Sequence, residues 1–249
     1  MFYTTKGLVL RETQYKDNDK LLSVLTGELG LVTFKARGVK RKNSPLRSGC
    51  QLLGYSEFTV YERNGYYTIN EAEPMALFLG IRQDIELLSL GSYFAQLLET
   101  VATEGQPSPE LLSLGLNSLY ALDTLKKPQS LVKAVFELRL MCLAGFAPML
   151  EGCSCCGDPA ANHFLIQEGV LLCGVCKRAE GGGEQRVLSP GVLAAMRHIC
   201  LCDKQRLFSF ALPEGALREL GRVTEDFLLA QMGQGFSSLN FYKRLFTTS

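Results

Sequence analysis

The chain has 249 residues and a mass of 27.5 kDa, 47% of it hydrophobic and 20% charged, enough apolar material for one large or two ordinary globular domains. Its 26 basic and 25 acidic side chains sum to +1, which excludes a uniformly basic chain, and no apolar run approaches the ~18–20 residues of a membrane helix. The charge is polarised, however: residues 1–50 hold ten basic side chains against four acidic ones, a net of +6, leaving −5 for the other 199, and such asymmetry points to an anionic partner for one end.

The first eighty residues read as β structure. Gly7–Leu10 and Leu21–Thr26 are extended segments and Gly27–Gly30 is a turn. Residues 31–39 then alternate, with Val32, Phe34 and Ala36 on one face and Thr33, Lys35 and Arg37 on the other. Leu52–Arg63 is a fourth strand, and Asn64-Gly65 is a strong hairpin signal that returns the chain as a fifth, Tyr66–Ala72. Five short antiparallel strands predict a small closed or nearly closed barrel. Val39–Cys50, polar, basic and interrupted by Pro45, is the loop between the third and fourth strands.

After Pro74 the period becomes helical. Residues 82–103 carry Ile85, Leu88, Leu90, Phe94, Leu97, Leu98 and Val101 close to a 3.6-residue period. Ser108-Pro109-Glu110 is a helix start, with a capping hydroxyl, a proline at the first helical position and a carboxylate in the first turn. Residues 129–145 are apolar almost all round, which marks a helix buried on most sides, and Pro148 closes that element. Ser189-Pro190 repeats the start signature ahead of Val192, Met196, Ile199 and Cys200. A last amphipathic helix follows Pro213, with Leu217, Leu220, Val223 and Phe227 on its apolar face, and Gly233-Gln-Gly235 is its terminal turn. Glu225-Asp226 falls on the polar face, where solvated charge is the default. The fold class is therefore α+β and multi-domain: a five-stranded barrel over 1–80 and an all-helical domain over 81–249.

Nine cysteines, an odd number, fit a reducing cytoplasm and a metal site better than a disulfide framework. Met1–Lys6 shows no signal-peptide pattern, so the expected location is cytoplasmic. Cys153, Cys156, Cys173 and Cys176 form two C-x-x-C pairs separated by sixteen residues. That spacing suits four thiolates converging on one zinc ion. Four thiolates close the coordination shell, so the zinc is structural, pinning a module at about 150–180 whose return through Glu180–Gly183 reads as flexible. Cys155 is an alternative ligand to Cys153 or Cys156. Cys50, Cys142, Cys200 and Cys202 read as small core residues.

Lys35, Arg37, Lys40, Arg41, Lys42 and Arg47 fall within thirteen residues that include no acid. A solvated loop is one reading and a phosphate-tracking groove the other. Small barrels bind single strands by pairing a positive groove with aromatic platforms, and Tyr15, Tyr55, Tyr61, Tyr66 and Tyr67 are available for that. No Gly-Lys dipeptide exists, which excludes a Walker A loop, and no complete G-x-G-x-x-G follows a strand. His163 and His198 lack the neighbours of a zinc deaminase. A catalytic constellation is not legible, so the chain is expected not to be an enzyme.

Lys6-Gly-Leu-Val-Leu-Arg11, Asp19–Thr26, Gly30, Ala36–Arg41 with Ser44, and Gly145–Pro148 running into Cys153–Gly157 together resemble the RecO family of bacterial recombination mediators over nearly the whole chain. The likeness departs at Lys16-Asp17, where the family often has Gly-Glu, and in the tail at Leu239–Arg244. The resemblance implies an N-terminal OB-fold, a helical C-terminal domain with the zinc module, and binding to single- and double-stranded DNA. It further implies ATP-independent annealing of complementary strands, association with RecR and with the C-terminal tail of the single-stranded-DNA-binding protein, and help in loading recombinase at gaps. On the motif match Lys35, Arg37, Lys40, Arg41 and Arg47 are the DNA-contact positions. A zinc-stabilised protein-interaction adaptor and an RNA-binding barrel are the alternatives.

Overall fold

Five strands open the computed structural model, which describes residues 1–177 and 184–247; the Glu180–Gly183 segment lies outside the described residues. β1 (Phe2–Gln14), β2 (Lys20–Thr26), β3 (Gly30–Ala36), β4 (Tyr55–Arg63) and β5 (Tyr66–Ala76) close into a barrel in the order β1-β2-β3-β5-β4. Four of the pairings are antiparallel, as expected, but β3 and β5 run parallel, through Phe34↔Tyr67 and Lys35↔Thr68. The exception is a matter of parity. Directions cannot alternate all the way round a closed ring of five, so one pair must be parallel.

The alternation in β3 is realised: Val32, Phe34 and Ala36 point into the barrel, with Val9, Leu22, Val24, Phe58, Val60 and Ile69 from the other strands. The segment after β3 is more than the polar loop expected. Val39, Leu46 and Cys50 belong to that same core, so the basic stretch is pinned at three points by apolar plugs. Burial pushes the Cys50 thiol up to about 12, in keeping with its expected place in the core. β5 continues through Pro74, which pairs with Ser56 beside a register shift.

The helices start and stop where local chemistry dictates. The single helix expected over 82–103 is broken in two, α1 (Leu79–Gln83) and α2 (Ile85–Val101). Asp84 separates them in an extended conformation and caps α2, its carboxylate accepting from the N–H groups of Glu86 and Leu87. α3 (Pro109–Asp123) begins at Ser108-Pro109, yet the Ser108 hydroxyl donates to the Gln106 carbonyl instead of capping the helix. α4 spans Gln129–Leu143, α5 Pro190–Leu201, α6 Glu214–Met232 and α7 Ser237–Thr247. Ser189 likewise makes no side-chain cap on α5; proline at the first helical position starts both helices without one. Gly233 ends α6 with φ of 62°, the left-handed turn its sequence predicts.

The chain packs as two compact units, 1–126 with 236–249 and 127–235. In the first, α1, α2, α3 and α7 accompany the barrel. Tyr93 of α2 is fully buried and meets Phe236 edge-on at 6.2 Å, and Glu99 of the same helix accepts from Arg11 Nε at 2.9 Å and from the Ser23 hydroxyl. In the second, α4 packs on α5 and α6, and a four-stranded sheet of β6 (Met149–Cys153), β7 (His163–Leu165), β8 (Val170–Leu172) and β9 (Gln185–Val187), in the order β6-β8-β7-β9, occupies the stretch expected to be an excursion. Phe164 of β7 sits edge-on to Phe227 of α6 at 5.5 Å.

The polar side of α6 departs from expectation. Glu225 lies 2.8 Å from Lys133 Nζ, which also meets Glu137 at 2.7 Å, and Asp226 pairs with Arg186 at 2.8 Å. Lys133 is 7% exposed and Glu137 not at all. Glu225 is therefore committed to a buried lysine, and Asp226, still partly exposed, to an arginine of the same unit.

Candidate nucleic-acid interface and metal centre

The basic segment is positioned by β3 and by a chain of tight turns. Gly38, with φ of 64°, gives its N–H to Asp19 Oδ1 at 2.8 Å, and Lys40 N–H reaches the Asn18 carbonyl at 3.1 Å. Arg41, Ser44 and Arg47 then donate to the carbonyls of Gly38, Arg41 and Ser44 in turn. These bonds satisfy the backbone locally, while the plugs hold the segment down. The side chains of Lys40, Arg41, Lys42 and Arg47 are left at the surface.

Their neighbours differ. Lys40 Nζ donates to Gln14 Oε1 at 2.9 Å, and Arg47 donates to the Lys40 carbonyl at 3.2 Å, so these two are held against each other. Lys35, half-buried on β3, lies 4.0 Å from Asp19 Oδ2 and places its ammonium 4.6 Å from the centre of the Tyr15 ring. Arg37, one residue past β3, is exposed. It lines an open groove of about 570 Å³ together with Tyr15, Lys35, Tyr66, Tyr67 and Glu104. The structure thus brings Lys35 and Arg37 together with three of the five tyrosines picked out from the sequence. Tyr67 is partly spent on the core, at 5.9 Å from Phe34, and Tyr55 is half-buried. Tyr15, Tyr61 and Tyr66 are exposed.

In the other unit, Cys153, Cys156, Cys173 and Cys176 bring their four sulfurs within 4.8 Å of one another. A tetrahedral ion with ~2.3 Å metal–sulfur bonds needs sulfurs about 3.8 Å apart, and Cys156 and Cys173 stand at 3.7 Å. The set fits. Each knuckle is built by backbone bonds: Gly157 N–H to the Cys153 carbonyl at 2.9 Å with Gly157 at φ of 77°, and Lys177 N–H to the Cys173 carbonyl at 3.0 Å. The sheet joins the knuckles, since Ser154 N–H donates to the Leu171 carbonyl at 2.8 Å. Burial raises the Cys153 thiol, but the N–H groups of Cys156, Cys173 and Cys155 outweigh it and bring the thiol down to about 6. The Cys176 N–H, 3.4 Å from the sulfur, leads those lowering Cys173. Backbone donors aimed at the Cys153 and Cys173 sulfurs favour their thiolates, the metal-binding form, whereas the crowding of neighbouring cysteines raises Cys176 and, against the pull of the Asp158 backbone, Cys156. Cys155 is exposed and outside the cluster, so the four cysteines of the two pairs are the set that could hold a metal ion.

Two family profiles match the chain, one described as Recombination protein O N terminal over residues 1–78 and one as Recombination protein O C terminal over residues 82–240. The chain belongs to the RecO family. A DNA repair protein RecO from Alkaliphilus metalliredigens is 33% identical over 250 residues, covering 98% of this chain and 100% of the relative. Another from Acetivibrio thermocellus is 30% identical over 246 residues, covering 98% and 97%. A third, from Heliobacterium modesticaldum, is 29% identical over 231 residues, covering 90% and 83%.

Two features of this RecO-family chain were hidden in its sequence. Asp19 organises the basic segment, and a turn aspartate nineteen residues ahead of its glycine gives no local signal. The row of aromatic and basic side chains on the outside of the barrel depends on strand register, which alternation within one strand does not specify. No helix among the described residues is long and apolar enough to cross a membrane.

Proposed function

We propose that the protein is a DNA-binding mediator of recombinational repair, which anneals complementary strands and helps load a recombinase onto single-stranded DNA, without catalysing a reaction itself. The observation that carries this reading is the anchored basic segment on an OB-like barrel: Lys35, Arg37, Lys40, Arg41, Lys42 and Arg47 all project from one backbone stretch whose own hydrogen bonds and plugs fix it in place. Pre-positioned cations neutralise phosphate with little ordering cost and release counterions from the strand. Two strands held by screened phosphates approach more closely than free strands do, which is the physical content of annealing without ATP. The names of the relatives, DNA repair proteins, support the setting.

The same reading assigns zinc to Cys153, Cys156, Cys173 and Cys176 as a structural ion. Such an ion would fix the sheet of the second unit and contribute no chemistry at an open coordination position. RecR and the C-terminal tail of the single-stranded-DNA-binding protein are the partners it calls for, in a cytoplasmic setting alongside the DNA.

A salt-titrated binding and annealing assay tests the function. Affinity for a short oligonucleotide should fall linearly in log–log form, with a slope of about −0.7 per neutralised phosphate on a single strand. Arg37→Glu combined with Lys40→Glu should weaken binding at least tenfold and slow annealing. Unchanged affinity in that double variant would refute the DNA face. A protein that binds the single-stranded-DNA-binding protein's tail but no nucleic acid at low salt would be an adaptor instead, and one preferring RNA to the matched DNA strand would be an RNA module.

A further inference from the structure

Barrel register lays a row of side chains across four strands. Lys35 of β3 lies opposite Thr68 of β5, Thr68 opposite Tyr61 of β4, and Tyr61 opposite Phe2 of β1. Paired residues share a face of the sheet. Phe34, Val60 and Ile69, on the opposite parity, are buried in the core, so this row faces out. Tyr66 and Arg63, opposite one another, continue the outer face on one side of it, and Arg37 lies on the other. Arg37 and Tyr66 line both the groove described above and a second one of about 560 Å³ that contains Phe2, Tyr61 and Arg63.

Three rings are exposed along this face: Tyr66 by 79%, Phe2 by 60% and Tyr61 by 42%. Phe2 and Tyr61 are already paired, with ring centres 5.0 Å apart. Contiguous exposed rings on rigid strands are costly to leave in water and mark a contact surface. Neither Arg37 nor Arg63 is ion-paired among the described residues. Of the carboxylates near the row, Glu71, opposite Thr59, is exposed one step further along the same face, and three others are turned to other uses or to one wall. Glu62 accepts the Gly65 N–H at 2.8 Å, Asp19 holds Gly38, and Glu104 lines the first groove alone.

We propose that this face is a base-stacking track for single-stranded DNA. Tyr66 and the Phe2–Tyr61 pair are its platforms, and Lys35, Arg37 and Arg63 meet the phosphates. The proposal rests on the DNA-binding reading and adds to it the residues that tell a single strand from a duplex. Stacking on a protein ring needs a free base face, which a duplex keeps inside its own stack, whereas phosphates are available on both. Cations alone would not discriminate; rings interleaved with cations do. Three strand spacings of about 4.8 Å span ~14 Å, the length of a short single-stranded segment.

The chain contains no tryptophan, so Tyr66→Trp installs a single reporter at the proposed platform. Its fluorescence should be quenched saturably by an oligothymidine. Tyr66→Ala and Tyr61→Ala should each weaken oligothymidine binding about tenfold while duplex binding changes less than twofold, and Tyr66→Phe should bind as wild type. Tyr66 is exposed, so its variants should unfold at the wild-type temperature, and the thermal unfolding of Tyr61→Ala, which gives up the Phe2 ring contact, checks that this variant remains folded. Wild-type affinity in both alanine variants, or an equal loss for duplex and single strand, would overturn the track while leaving DNA binding intact. If wild type itself binds no oligonucleotide at low salt, both readings fall together.

Discussion

Asp19 holds Gly38: one carboxylate oxygen accepts the glycine N–H at 2.8 Å, and the other lies 4.0 Å from the Lys35 ammonium. The turn between β1 and β2 is thereby tied to the start of the basic segment, and a negative charge sits beside a groove argued to receive phosphate. Asp19→Ala removes a charge-assisted acceptor and should lower stability by ~1.5–3 kcal/mol. Asp19→Asn keeps an acceptor oxygen, so it should recover most of that loss and bind oligonucleotide at least as tightly as wild type. Urea midpoints and fluorescence anisotropy measure the two arms. Equal stability of Asp19→Ala and wild type would show that the turns and plugs alone fix the segment.

Gly30 makes a sharper prediction about the first unit. Its φ is 64°, and a Cβ there would come within 1.9 Å of the Gln106 carbonyl oxygen and 2.7 Å of that of Thr103. Both obstacles are backbone, and Leu31 N–H is bonded to the same Thr103 carbonyl, so neither can yield cheaply. Gly30→Ala should cost ~3 kcal/mol or more, at the strained end of single substitutions. Gly105 has φ of 71° with nothing within 4 Å, so Gly105→Ala should cost only the ~1–2 kcal/mol of a left-handed backbone. Denaturant unfolding of the two variants side by side checks the difference.

Why some of this was legible in the sequence follows from where each signal lives. The alternation of Val32, Phe34 and Ala36, the Asn64-Gly65 hairpin and the C-x-x-C spacing are local, and all reappear in the fold. The parallel β3–β5 seam, the break at Asp84 and the plugs Val39, Leu46 and Cys50 are products of closure and packing. A basic stretch with scattered apolar residues reads as a loop until the barrel end it fills is known. The ion pairs of Glu225 and Asp226 are hidden for a related reason: their partners Lys133 and Arg186 are 92 and 40 residues away, and no window along α6 contains them. The four-stranded sheet of β6 to β9 has three strands of only three residues, too short to show a period.

Metal removal should separate the two units. Cys173→Ser takes one thiolate from the four, so purified protein should fall from one zinc per chain towards none, and amide exchange should rise across residues 149–177 and 184–187. The barrel lies in the other unit, and its exchange should be unchanged. Cys155 is exposed and outside the cluster, so Cys155→Ser should keep the metal. Protons compete with metal for thiolates, and a chelator should therefore strip the ion faster as pH falls. Full zinc retention in Cys173→Ser would refute the ligand set.

Lys133 sits at the centre of a buried ion-pair set. It is 7% exposed and bridges Glu137 and Glu225 at 2.7 and 2.8 Å, while the Thr224 hydroxyl donates to Glu137 at 3.1 Å. Truncating one partner of such a buried set strands the others, so Lys133→Met should lose ~3–5 kcal/mol, and adding Glu137→Gln should restore part of it. The pH dependence has a definite sign. Burial pulls the Lys133 pKa down, but the attraction of Glu137 and Glu225 outweighs it and holds the folded value above the ordinary one. A raised folded pKa stabilises fully below the unfolded value of about 10.4, and that contribution is lost as pH rises through the folded value. The urea midpoint of wild type should thus hold level from this group through pH 9 and decline above about pH 10.4, whereas Lys133→Met, lower throughout, should lack that component of the decline. Parallel alkaline curves for the two proteins would mean that the lysine gains nothing from its glutamates.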